Sequence, residues 1–192
     1  MSSAEKYIPQ YTREDYRNWE GDWELIEGVA ISMSPSPSGL QNEVVSMSPS
    51  PNGPHERAVS RLIMLLGNEM ENQSSDCFPY AGLDWIVSNE TIVRPDLMVV
   101  CGDQPDGHLE KPPVLVAEVL SPSTWKLDTG SKRRIYKDNG VNVYLIVDTD
   151  LKKIEIVDFR SENSVTIQEA ESSRVSLADN LAIDVIAEKI FR

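Results

Sequence analysis

The chain has 192 residues, with 18 Lys or Arg against 31 Asp or Glu, and a formal charge of -13. That length suits one domain, which buries about 70% of the surface its unfolded chain exposes and needs no disulfide framework; 40% hydrophobic against 26% charged residues excludes global disorder. No apolar run reaches the roughly 18 residues of a membrane span, which excludes a membrane protein, and the acidity points away from a general nucleic-acid binder except where a basic patch or bound cations reverse the field.

In chain order, Thr12 followed by Asp15 reads as a capping box and predicts a short helix over 12–18. Residues 23–26 and 29–31, separated by Glu27 and Gly28, predict a hairpin whose turn Gly28 supplies. The six residues Ser-Met-Ser-Pro-Ser-Pro at 32–37 recur at 46–51, and neither copy carries an apolar face to stack. They read as a duplication lengthening a loop, 34–53. After Pro54, the spacing of Ala58, Leu62, Leu65, Leu66 and Met70 predicts the main helix, 54–71, with His55 in its first turn. Strands are predicted at 77–80, 83–87, 96–101 and 114–120, with polar connections at 88–90 and 102–113. A helix over 128–139 ended by Gly140, strands at 143–147 and 154–159, a weaker strand at 165–168 and a closing helix at 184–190 complete the chain. This order lacks the regular βα alternation of a Rossmann fold; it predicts one domain over 1–192, a mixed β-sheet flanked by helices, of α/β or α+β class. Cys77 and Cys101 are too few for a secreted scaffold, and no basic-then-apolar leader opens the chain at Met1, so the expectation is a reduced, cytoplasmic protein.

Phosphate loops, zinc spacings and nucleophile elbows are absent: there is no GxGxxG, CxxC, HExxH or GxSxG. Carboxylates inside apolar strands remain. Asp96 opens one predicted strand and Glu118 lies near the end of the next, with Gly107 midway between them; in an antiparallel hairpin the pair is directly opposed, on one face, with Cβ atoms about 5 Å apart. Such an acid pair is costly without a compensating cation, either a basic side chain or a divalent metal. Lys132 comes 14 residues after Glu118, in the first turn of the following helix, with Lys126, Arg133, Arg134 and Lys137 around it. Carboxylates for Mg²⁺, a lysine near a developing anion and basic groups for phosphates describe metal-assisted phosphodiester hydrolysis: Asp96 and Glu118 hold the metal, and Lys132 orients water or stabilises charge on the phosphorane.

Each residue also has a plainer reading. Asp128 and Lys132 form an i to i+4 pair worth about 0.3–0.5 kcal/mol to a helix. Glu118 has Arg94 as a possible salt-bridge partner, His55 a capping or packing role, and Glu27 a solvated turn position. Tyr136 shares the Lys132 helix face and reads as a packing residue. The basic run is a solvated face unless it lies beside the acid pair.

Arg94-Pro95-Asp96, then Glu118-Val119-Leu120-Ser121-Pro122-Ser123-Thr124, then Asp128-Thr129-Gly130-Ser131-Lys132 with Tyr136 and Gly140-Val141, resemble the Uma-two type of restriction-endonuclease family, within the PD-(D/E)xK nuclease superfamily. The resemblance runs from 23–28, through Met-Ser-Pro and His55, to 181–184. It implies a restriction-endonuclease-like fold and cleavage of nucleic acid, DNA foremost, with Mg²⁺ (or Mn²⁺) as cofactor. The family's metal carboxylates fall on Asp96 and Glu118; Leu120 stands where the usual lysine would be, so that role passes to Lys132. Glu27 and His55 match further family positions bordering the site, while Lys126, Arg133, Arg134 and Lys137 are the expected nucleic-acid contacts. The alternative is a catalytically inactive nuclease-fold protein that binds nucleic acid or a protein partner, or assembles as a homodimer through an exposed sheet edge.

Overall fold

The structure, a computed structural model, describes residues 9–33, 52–122 and 124–192. The duplicated Ser-Pro loop lies outside the described residues except for its last two positions, which belong to the start of the main helix.

Helix α1 (Arg13–Tyr16) begins at Thr12, whose hydroxyl and backbone N–H both donate to the Asp15 carboxylate at 2.8 Å. Strands β1 (Trp23–Ile26) and β2 (Val29–Ser32) meet across Glu27 and Gly28, at φ 50° and 79°. Positive φ at both central residues is what a tight hairpin with right-handed strand twist requires. In α2 (Gly53–Asn72) the Asn52 side chain accepts from the His55 N–H at 3.1 Å, and Ala58, Val59, Leu62, Leu66 and Met70 form the buried stripe. There follow β3 (Cys77–Ala81), β4 (Trp85–Ser88), β5 (Thr91–Val93), β6 (Leu97–Cys101) and β7 (Leu115–Val119). A crossover helix then runs in three pieces: α3 (Trp125–Leu127), a π-helical turn at Asp128–Lys132, and α4 (Arg133–Asp138). Strands β8 (Val143–Asp148), β9 (Lys153–Asp158), β10 (Asn163–Gln168), β11 (Ser172–Ala178) and β12 (Leu181–Ile186) precede α5 (Ala187–Phe191).

The main sheet has six strands in the order β10-β9-β8-β7-β6-β3, antiparallel except for the parallel pair β7 and β8. Parallel neighbours need a crossover, and the π turn and its flanking helices are that crossover, returning the chain from the end of β7 to the start of β8. A second, antiparallel sheet has the order β2-β1-β5-β4, and β11 pairs with β12. Side-chain alternation separates two apolar layers. Leu97, Val99, Leu115, Ala117, Val119, Val143, Leu145 and Val147 face α2, α5 and β11–β12, while Met98, Val100, Val116, Tyr144 and Ile146 face α4 and the smaller sheet. Among the described residues, no helix is long and apolar enough to cross a membrane.

Three expectations are corrected. The predicted closing helix begins later: Asp184 to Ile186 still belongs to β12, because Ile183 and Val185 alternate into the core and pair with β11. Strands β5 and β11 escaped the sequence, β5 for its three-residue length and β11 because only Val175 and Leu177 are buried among Ser and Arg. Cys77 and Cys101 are not reduced thiols but a disulfide, since the register of β3 on β6 sets them directly opposite one another.

Candidate active site

The β6–β7 register is Leu97↔Ala117, Met98↔Val116 and Val99↔Leu115, each pair adding to 214, the value that opposes Asp96 to Glu118. Continuing it one residue closes the acid pair reciprocally: the Asp96 N–H donates to Glu118 Oε2 at 3.3 Å, and the Val119 N–H donates to Asp96 Oδ2 at 2.8 Å. Both carboxylates therefore sit at one end of the central strands, at the C-terminal end of β7, where the crossover begins.

Lys132 descends onto them. Its Nζ lies 2.6 Å from Glu118 Oε1, 2.9 Å from Glu24 Oε1 and 3.7 Å from Asp128 Oδ1, and the side chain is 1% exposed. The helical i to i+4 contact is thus the longest of the three. Five-residue π turns recur at functional sites because they rotate side chains off the regular helical face; here Asp128 and Lys132 are both buried, and the Tyr144 hydroxyl donates to the Asp128 carbonyl at 3.1 Å. One turn on, the Tyr136 hydroxyl donates to Glu118 Oε1 at 2.6 Å, so Tyr136 packs and also holds the acid. Arg94 does not pair with Glu118; it is committed to Asp84 and Asp22.

Glu24 is the residue that sequence reasoning missed. It is fully buried in β1; Oε1 accepts the Arg94 backbone N–H at 2.7 Å, and Oε2 is buried with no hydrogen-bond partner among the described residues. An acid inside Trp-Glu-Leu-Ile carries the same signal that singled out Glu118. Glu27, three residues on, occupies the hairpin turn, where its exposed carboxylate pairs with Arg134 at 2.9 Å. His55 does reach the site: its Nε2 is 3.3 Å from Asp96 Oδ2.

A cleft of about 420 Å³ opens beside this cluster, lined by His55, Glu56, Asp22, Arg94, Pro95 and Asp96. Asp96 is the acid that meets solvent, at 27% exposure, whereas Glu118 and Lys132 lie sealed behind it. The basic crossover helix is largely neutralised: Arg133 pairs with Glu155 at 2.9 Å, Arg134 with Glu27, and Lys137 with Glu162 at 3.0 Å. Lys126 lies 5.8 Å from the centre of the exposed Trp125 ring.

Burial pushes Glu118 well above the ordinary carboxylate range, against the Lys132 ammonium, and nearby Asp128, Asp96 and Glu24 push it the same way. Burial likewise raises Asp128 to about 6, while three surrounding carboxylates keep Lys132 protonated despite its burial. For His55, burial opposes protonation, but the Asp96 hydrogen bond and charge outweigh it and raise its pKa. A carboxylate raised in the folded state binds more protons there than in the unfolded chain, so stability is highest where it is protonated and falls as pH rises through its folded pKa. Chelator-treated protein is therefore expected to melt at a higher temperature at pH 5 than at pH 7.5, measured by calorimetry, and Asp128→Asn should flatten that slope. An unchanged slope in Asp128→Asn would place the titration elsewhere.

A mixed sheet flanked by helices, with an acid pair at the ends of two central strands and a lysine delivered by the crossover helix, defines a restriction-endonuclease-like fold. Residues 40–185 match the Uma2 family, described as "Putative restriction endonuclease", and the chain belongs to that family. Uncharacterized protein slr1290 of Synechocystis sp. is 32% identical over 190 residues, covering 93% of this chain and 92% of the relative. A crystal structure titled as a putative nuclease belonging to DUF820, from Anabaena variabilis, shares the fold with a TM-score of 0.69 at 15% identity, covering 94% of this chain and 97% of that one.

Proposed function

We propose that the protein is a divalent-cation-dependent endonuclease that hydrolyses phosphodiester bonds in nucleic acid, DNA foremost. The observation that carries this reading is the reciprocal closure of Asp96 and Glu118, with Lys132 Nζ 2.6 Å from Glu118, beside an open cleft. The donor set fits a hard cation. Among the described residues, Asp96 Oδ1 has no protein partner and its carboxylate lines the cleft, and Glu118 Oε2 has only the long contact from the Asp96 N–H. Asp96 and Glu118 would hold Mg²⁺ or Mn²⁺, which suits carboxylate oxygens, activates a bound water and neutralises charge growing on the phosphoryl oxygens.

The chain's own residues prepare that chemistry. Lys132 and Tyr136 hold Glu118 Oε1, which turns Oε2 toward Asp96. The Val119 N–H fixes Asp96 Oδ2 and leaves Oδ1 for the cleft. His55, against Asp96 at the cleft wall, is placed to hold or release a proton near the scissile phosphate.

The test is a calorimetric titration with Mg²⁺ and with Mn²⁺, run beside cleavage of plasmid DNA, single-stranded DNA and RNA, with Asp96→Asn as the control. Cation binding and cation-dependent cleavage, both lost in Asp96→Asn, are expected. Neither heat of binding nor cleavage of any substrate would leave the second reading, a binding or assembly module. That alternative draws support from the pairing of Arg133, Arg134 and Lys137 with glutamates, and from exposed Phe78 on edge strand β3, where a second copy of the chain would dock.

A further inference from the structure

A second cavity, of about 260 Å³, lies among α1, β1, β4 and β5 and is not part of the acid cluster. We propose that it is a subsite for a single nucleotide unit, taking a base against its tryptophans and a phosphate on its arginines. This rests on the nucleic-acid reading above and names where the substrate goes beyond the scissile bond.

One wall is aromatic. Trp19 is half-buried, its ring centre 5.4 Å from Tyr16 and 5.6 Å from Trp23, and all three line the cavity. Base stacking on such rings is sequence-tolerant because every base has a π face. The other wall carries Arg13, Arg17 and Arg94, with His108 and the buried Asp84 carboxylate beside them, in a chain of net charge -13. Their commitments differ. Arg94 is held by Asp84 at 2.6 Å and Asp22 at 2.7 Å, whereas Arg13 pairs with Glu110 through Nη2 and keeps a buried Nε that has no partner among the described residues. Arg17 is exposed and, among the described residues, has no acidic partner. Unspent guanidinium donors beside aromatic rings suit an anion joined to a planar ring, and the volume, just under the roughly 300 Å³ of a small-ligand site, suits one nucleotide and excludes a duplex. Arg94 lines both this cavity and the acid cleft, so the two are neighbours across one side chain. A strand with its phosphodiester at Asp96 runs past Arg94 into the second cavity.

The test is equilibrium binding without metal. Deoxyadenosine monophosphate, deoxyadenosine and inorganic phosphate are titrated in the presence of chelator, with tryptophan fluorescence as the readout and Trp125→Phe as background to silence the exposed indole. The monophosphate should quench fluorescence and bind Asp96→Asn as well as it binds the parent. Arg17→Glu, an exposed change whose melting temperature should equal the parent's, should weaken monophosphate binding about tenfold or more and leave deoxyadenosine binding within twofold. No quenching at millimolar monophosphate, or equal affinity in Arg17→Glu, would overturn the proposal. Loss of binding in Asp96→Asn would move the nucleotide to the acid cleft and overturn it too. A failed nuclease reading shows separately, as no cation binding and no cleavage, and leaves these isotherms unchanged.

Discussion

Lys132→Ala should lower metal-free stability by about 3 kcal/mol or more at pH 7.5, measured by denaturant unfolding, and reduce cleavage by about two orders of magnitude or more. The stability loss follows from what remains: Glu118, Glu24 and Asp128 are all buried, and Lys132 is the cation among them. Removing one partner of a buried pair leaves uncompensated charge, which costs more than the pair contributed. At pH 5 the loss should shrink, because carboxylates that burial already raises take up protons instead. Mg²⁺ or Mn²⁺ should stabilise the variant more than the parent, since a divalent cation supplies the missing positive charge. Cleavage separates positioning from scaffolding. If cation restores stability and full activity together, Lys132 only maintains the fold; if stability returns and cleavage does not, Lys132 sets the Glu118 geometry needed for reaction.

Arg94→Met should cost about 2–3 kcal/mol, because among the described residues it leaves the buried Asp84 carboxylate with only the Tyr16 hydroxyl at 3.0 Å and His108 Nδ1 at 3.4 Å. In the parent, the Asp84 hydrogen bond outweighs burial and raises the guanidinium pKa, so Arg94 keeps its charge. The figure sits below that of a fully sealed pair because Arg94 is 27% exposed and solvent screens part of the interaction. Adding Asp84→Asn should recover part of the loss, and a thermodynamic cycle measures the coupling. The backbone N–H of residue 94 still donates to Glu24 in Arg94→Met, so cation binding should fall less than stability does. A double variant no more stable than Arg94→Met would mean that Asp84 was never the group left unpaired.

The acid pair was legible because hairpin pairing is arithmetic: opposed residues keep a constant sum, and side chains alternate with period two. The sequence alone therefore sets Asp96 and Glu118 on one face. The main helix was equally legible from the spacing of Ala58, Leu62, Leu66 and Met70, which are all buried. Lys132 was readable as a neighbour of Glu118 through chain connectivity, but the π turn that buries it left no mark in the sequence, since Asp128 to Lys132 contains no apolar residue whose spacing could report a change of helical phase.

Other features arose between elements distant in sequence. Glu24 reaches Lys132 only because β1 pairs with β5, at Leu25↔Ile92, a contact no local spacing encodes. The Cys77–Cys101 bond depends on the β3–β6 register, and cysteine count alone carries no register. The basic residues at 133, 134 and 137 were correctly placed on one helix, yet their pairing with Glu155, Glu27 and Glu162 came from two hairpins that pack beside it. By itself, the sequence determined strand alternation, the hairpin opposition of Asp96 and Glu118, and the order of the motifs, because these depend on local backbone periodicity. Only the tertiary structure decided which charges meet, are buried and neutralise one another, because Coulomb and desolvation energies depend on distance and burial in space, not on separation along the chain.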